Sequence, residues 1–133
     1  MNQLPQTLQS ANLAIDQNVI AAYADLTNDF NPIHLDPLFA AKTPMGGVIA
    51  HGTMSIGLIW QALEKSLGAD LLSDIRLDIR FIKPVRLGDN LIAGGRLKES
   101  TEEREALAYE VFVRDERNSE DKIIGTATIE KSA

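Results

Sequence analysis

Thr53-Met54-Ser55-Ile56-Gly57-Leu58-Ile59-Trp60, continuing through Gln61-Ala62-Leu63-Glu64-Lys65-Ser66-Leu67, decides the fold. Its first half carries apolar residues almost all round, with no polar stripe, and a helix of that composition must be buried. Glu64 and Lys65 restore polarity near the end and Gly68 supplies a C-cap, so the helix is expected to enter the core at its N-terminus and emerge at its C-terminus. Beyond it the period falls to two. Ile75, Leu77, Ile79 and Phe81 alternate with Arg76, Asp78 and Arg80, the pattern of a strand with one face in the core and one in water. Further strands are expected at 90–99, 106–114 and 122–131, with polar, hairpin-like separators at Gly88-Asp89, 100–104 and 115–121. Consecutive strands after one buried helix give an α+β class, an antiparallel sheet wrapped around a long central helix.

Upstream, Asp16 is a candidate N-cap, and Val19, Ile20, Tyr23 and Leu26 recur at helical spacing until Thr27-Asn28-Asp29 interrupts them. Residues 7–13 read as a short strand or extended lead. Asp36-Pro37 reads as the N-cap and first position of a short helix through Ala41, followed by a loop holding Pro44 and Gly46-Gly47.

The 133 residues fit a single domain spanning 1–133, large enough to bury a core without covalent staples. The absence of cysteine excludes disulfide and thiolate chemistry and fits a reducing cytoplasm. No apolar run approaches the roughly 20 residues needed to span a bilayer, and no signal sequence is evident, so neither membrane insertion nor export is expected. A net charge of −6 argues against nucleic-acid binding, which depends on neutralising phosphates.

Chemistry concentrates between Asp29 and Gly52. Asp29-Phe30-Asn31-Pro32-Ile33-His34 and Ala50-His51-Gly52 together hold a carboxylate, both histidines of the chain and two turn-forming residues. Pro32 fixes its own φ and biases Asn31 towards extended backbone, so a turn rather than a helix is expected here, with Asn31 holding it by side-chain hydrogen bonds. A carboxylate and an imidazole sharing one water can take a proton from it and deliver one elsewhere near neutral pH. Alone, Asp29 reads as a turn or capping residue and His34 equally as surface; the constellation is what favours function. His51 reads either as structural at the helix entrance or as lining the site. Spacing of Asp29, His34 and His51 matches no standard metal-ligand pattern, and no metal is expected.

From Tyr23 to Gly52 the sequence resembles the signature of the R-specific enoyl-CoA hydratases, or MaoC-like dehydratases. The Asp-x-Asn-Pro-x-His core is followed by Asp36, Phe39-Ala40 and His51-Gly52 at the family's spacing, and Phe81 to Val85 with Gly88-Asp89 resembles its strand-and-turn element. Asn28, where a small residue is common, and Thr53, where Met is common, depart from the pattern. Fine positioning and substrate identity are what these departures touch. The resemblance implies a hotdog fold and a homodimer with active sites near the interface. It also implies hydration of a trans-2-enoyl-CoA to the R-3-hydroxyacyl product, or the reverse, in fatty-acid metabolism, with coenzyme A as part of the substrate and no separate cofactor.

On that reading Asp29 and His34 are the catalytic pair, supported by Asn31, Pro32 and His51. The Gly52 N–H, at the start of the buried helix where free amides and the helix dipole favour negative charge, holds the thioester oxygen. Arg76, Arg80, Lys83 and Arg86 are candidates for the nucleotide, although such residues also decorate any exposed sheet face. Trp60 either limits the acyl channel or fills the core. The rivals are a thioesterase in which Asp29 directs water at the carbonyl, a non-catalytic acyl-thioester binding module, and an accessory subunit completed by a partner chain.

Overall fold

Five strands and one long helix dominate a computed structural model that describes residues 4–98 and 107–130. The order along the chain is β1 (Ala11–Ala14), α1 (Gln17–Thr27), α2 (Pro32–Leu35), α3 (Pro37–Ala41) and α4 (Gly52–Leu67). A 3-10 segment, Ala69–Asp74, follows, then β2 (Ile75–Phe81), β3 (Asn90–Leu97), β4 (Leu107–Asp115) and β5 (Glu120–Ile129). All pairings are antiparallel, in the order β1-β3-β4-β5-β2. The sheet wraps α4, which packs on β1, β3 and β4, so the α+β hotdog arrangement expected from the resemblance is the one observed.

Local chemistry explains the element ends. Asp16 accepts the Val19 amide at 2.8 Å as N-cap of α1, and Asn28 closes that helix at φ 56°, the left-handed conformation asparagine tolerates. Asp36 receives the Leu38 and Phe39 amides as N-cap of α3, with Pro37 at its first position. Gly68, at φ 87°, terminates α4.

The buried side of α4 is Met54, Ser55, Leu58, Ile59, Ala62 and Leu63, an i, i+4, i+8 stripe set against Leu91, Ala93, Tyr109, Val111, Val113, Ile123 and Ala127. Each fully buried Leu or Ile contributes about 1.5–3 kcal/mol. Tyr109 is wholly buried, with its hydroxyl donating to the Pro5 carbonyl at 2.6 Å, and burial pushes its pKa up. Neighbouring strands approach closely at one cross-strand row, Gly95-Val111-Gly125-Ile79. A Cβ on Gly125 would lie 2.3 Å from the Asp78 carbonyl oxygen, and one on Gly95 would lie 2.7 Å from that of Glu110.

Four expectations require correction. The first half of α4 is not buried all round: Thr53 is exposed, and Ile56, Gly57 and Trp60 are only half covered, because the sheet reaches one side of the helix alone. Phe81 is 56% exposed, since β2 is an edge strand and its last residue runs past the core. Gly88-Asp89 does not close a hairpin. β2 and β3 are separated by β4 and β5, and residues 82–89 cross the end of the sheet between them, turning at Gly88 with φ 94°. Finally, 29–34 is not turn alone. Pro32 sits at the first position of α2, where its missing N–H costs nothing, and Asn31 caps it by accepting the Ile33 amide at 3.0 Å. The separator expected at 100–104 lies outside the described residues.

Candidate functional site

His34 ends up opposite His51 because the last turn of α2 is tied to the segment leading into α4. The Ile49 amide donates to the Ile33 carbonyl at 3.3 Å, and the Ile49 carbonyl accepts His34 Nδ1 at 2.7 Å. A carbonyl can only accept, so Nδ1 carries the proton and the Ile49 contact leaves Nε2 of His34 uncommitted. In the other direction His51 Nε2 donates to the Asp29 carbonyl at 3.0 Å, which fixes the backbone from which the Asp29 carboxylate projects. The two rings stack at 3.9 Å between centroids, 26° from parallel.

Asp29 is exposed, His34 half-buried and His51 buried, and one donor atom from each lies within 4.8 Å of the others. That is a wet carboxylate beside an imidazole, the pairing that can share a water. As a cation site the trio is poorly formed. Stacked rings hold their in-plane lone pairs in separate, nearly parallel planes, and one nitrogen of each histidine is already committed to a carbonyl.

Gly52 is the first residue of α4, with His51 preceding it at φ −63°, ψ 132°, so its amide has no intrahelical acceptor. The Phe81 ring closes over the glycine: a Cβ there would lie 3.2 Å from Phe81 Cζ. Asn31 takes the capping role, while its own amide leans towards Asp29 Oδ1 at 3.3 Å. His51 Nδ1 and the Ser55 hydroxyl, one helical turn on, are buried without a partner among the described residues.

Trp60 lies two turns beyond Gly52 on the half-covered side of α4, packed against the core. The four basic candidates are dispersed. Arg86 donates to the Met45 carbonyl at 2.6 Å, Lys83 pairs with Glu120 at 3.0 Å, and Arg76 lies 3.7 Å from Glu130. Arg80 lines a broad concavity of about 960 Å³ on the sheet face turned away from α4, together with Arg96, Glu110 and Phe112. Neither histidine lines that hollow.

Two contributors escaped the sequence reading. Tyr23 of α1 lies 5.0 Å from the His51 ring and shares a 2.6 Å hydrogen bond with Thr53, so α1 supports the site as well as the core. Its helical spacing marked it as a packing residue, and the resemblance that begins at Tyr23 gave it no role of its own. The other is the Ile49 carbonyl, which no side-chain pattern can reveal.

A MaoC-like domain model matches residues 2–118. The chain is 41% identical over 75 residues to 3-hydroxybutyryl-CoA dehydratase of Methylorubrum extorquens, covering 56% of this chain and 48% of that protein. It is 38% identical over 74 residues to the (R)-specific enoyl-CoA hydratase of Aeromonas caviae, covering 56% and 55% respectively. The matched stretch thus spans about half the length of these relatives. The solved structure of the A. caviae (R)-hydratase involved in PHA biosynthesis superposes with a TM-score of 0.75 at 26% identity, over 98% of this chain and 100% of that one.

Proposed function

Because the chain belongs to the MaoC-like dehydratase family, we propose that it is a lyase that adds water across the double bond of a trans-2-enoyl-CoA, or removes it from the R-3-hydroxyacyl-CoA. The observation that carries the proposal is the approach of Asp29 and His34 to within 4.8 Å beside the free first amide of α4.

Hydration places a water oxygen on the β carbon and a proton on the α carbon, while charge develops on the thioester oxygen. Asp29 and His34 hold one water between them. One takes its proton, and the other delivers a proton to the α carbon on the same face, which suits syn addition. The Gly52 N–H binds the developing oxyanion, a contact worth roughly 3–4 kcal/mol of barrier in comparable sites. Only coenzyme A, as part of the substrate, is required; no metal or other cofactor enters the scheme. R stereochemistry follows the named relatives.

A homodimer completes this reading. Phe30, Leu38, Phe39, Met45, Phe81 and Ile82 are all at least 37% exposed, and they gather on the segments that flank the site and at the end of edge strand β2. An apolar rim beside an unpaired strand edge calls for a covering surface, and a second copy supplies one. In that assembly Arg76, Arg80, Lys83 and Arg86 of one protomer become available to the nucleotide of a ligand seated in the other, and Trp60 borders the acyl chain. A cytoplasmic location suits a cysteine-free chain in which, among the described residues, no helix is long and apolar enough to cross a membrane.

Purified protein mixed with crotonyl-CoA tests the function. Loss of the conjugated enoyl-thioester absorbance without release of free thiol, abolished in Asp29→Asn and His34→Ala, is the expected result. Thiol release would assign a thioesterase instead, and binding without turnover would leave only a binding module.

A further inference from the structure

A group of buried charges lies away from the site, between the 82–89 crossing segment and the start of β5. Lys122 is 2% exposed and Asp89 4%, and their Nζ and Oδ2 atoms are 3.1 Å apart. The Lys122 ammonium also donates to Glu120 at 2.7 Å and to the Pro84 carbonyl at 3.2 Å. Asp89 accepts the Arg86 amide on Oδ2 at 2.8 Å and Arg117 on Oδ1 at 2.9 Å. Burial alone pushes the Lys122 pKa down, but the bonds it donates to Glu120 and Asp89 outweigh it and hold the ammonium above the usual lysine value.

A pair so fully withdrawn from water is a costly way to gain stability, since apolar replacements of similar volume commonly do as well. Its contacts show what else it does. Lys122 and Asp89 grip the main chain at Pro84 and Arg86, on either side of Val85. The Val85 carbonyl accepts the Ala50 amide at 2.8 Å, and Arg86 bridges Ile49 across the same short antiparallel contact. The next carbonyl in that line, of Ile49, is the one that accepts His34 Nδ1. From the ion pair to the imidazole, every link is a backbone contact of residues 84–86 and 49–50.

We propose that Lys122 and Asp89 are positioning residues for His34: by clamping residues 84–86 they hold the Ile49 carbonyl where it keeps His34 protonated on Nδ1 and leaves Nε2 for chemistry. The role of Nε2 rests on the hydratase reading above, whereas the tautomer does not. Unconstrained neutral histidine side chains favour the opposite, Nε2–H form, so the clamp has a visible signature. With only two histidines in the chain, their ring nitrogens are separable by long-range ¹H–¹⁵N spectra.

The experiment records those spectra for the full chain at a pH about two units above the ordinary imidazole value, on wild type and on Lys122→Met, with the exposed Lys98→Met as control. Wild type and control are expected to show His34 wholly Nδ1–H; Lys122→Met is expected to show a mixture with substantial Nε2–H. In parallel, kcat on crotonyl-CoA is expected to fall about tenfold or more in Lys122→Met while KM stays within about twofold, the pattern of misplaced chemistry rather than lost binding. If Lys122→Met does not fold, Asp89→Leu with Lys122→Met removes both charges and is read the same way. A folded variant whose His34 remains wholly Nδ1–H overturns the proposal, as does failure of both variants to fold, which would make the pair a global support. Wild type inactive on enoyl thioesters but with His34 dependent on Lys122 would retire the hydratase reading and leave the clamp standing.

Discussion

His34 and His51 each fasten the backbone of the other's segment. His34 Nδ1 bonds the Ile49 carbonyl, two residues before His51, and His51 Nε2 bonds the Asp29 carbonyl, five residues before His34. With the rings stacked at 3.9 Å, these bonds add a reciprocal clamp to the Ile49–Ile33 backbone contact between the two segments. Removing one partner therefore acts on both segments.

His51→Phe tests this directly. The phenyl ring keeps the stacking surface but loses the bond to Asp29, so kcat on crotonyl-CoA is expected to fall by about 10-fold or more while the protein stays folded. Stability should drop by about 1 kcal/mol, the usual worth of one hydrogen bond. Steady-state kinetics with thermal melting provides both readings.

Gly52→Pro isolates the proposed oxyanion contact. Proline is well accepted at the first position of a helix, and His51, at φ −63° and ψ 132°, already has the backbone a residue before proline needs. The half-exposed Phe81 ring has room to move aside. Loss of the N–H should cost about 10²–10³ in kcat with little change in melting temperature, measured with the same enoyl-thioester assay.

Acid should loosen the turn between β4 and β5 through Asp115. Hydrogen bonds from Arg117 hold this buried carboxyl well below the usual carboxylate range, against the burial that pushes it up, with the Asn90 amide assisting. A depressed native pKa means that the unfolded chain binds the proton more readily. The stabilisation is therefore complete above about pH 5 and is lost progressively as pH falls further towards the native value. Melting curves of wild type and Asp115→Asn are expected to differ most near neutrality and to converge as the pH drops below that range.

Phe81→Glu probes the apolar rim. A charge at this 56% exposed position should leave the fold intact and convert the proposed dimer to monomer, as read by sedimentation velocity. An unchanged sedimentation coefficient in a dimeric wild type would place the interface elsewhere.

The main elements were legible because each had a local cause. Asp16, Asp36-Pro37 and Gly68 mark helix ends by chemistry that acts within one turn, and alternation marks β2 before any partner is known. Strand order was less accessible: the polar Gly88-Asp89 turn looks like a hairpin, but pairing is decided by which strand already has a free edge, and that edge belonged to β5. At the site, Asp29, His34 and Gly52 could be named as candidates from the residue types gathered in 29–34 and 50–52 and from the family resemblance. Tyr23 and the Ile49 carbonyl could not, since both act through contacts that exist only once distant segments have docked.

The glycine row through Gly95 and Gly125 has a consequence for anyone reshaping this scaffold. The packing of the sheet is written there by subtraction: two missing methyl groups let neighbouring strands come closer than side chains would permit. Any redesign that adds a methyl group at either position must first move a neighbouring main chain, so these two positions are the ones to leave untouched while the rest of the sheet is rewritten.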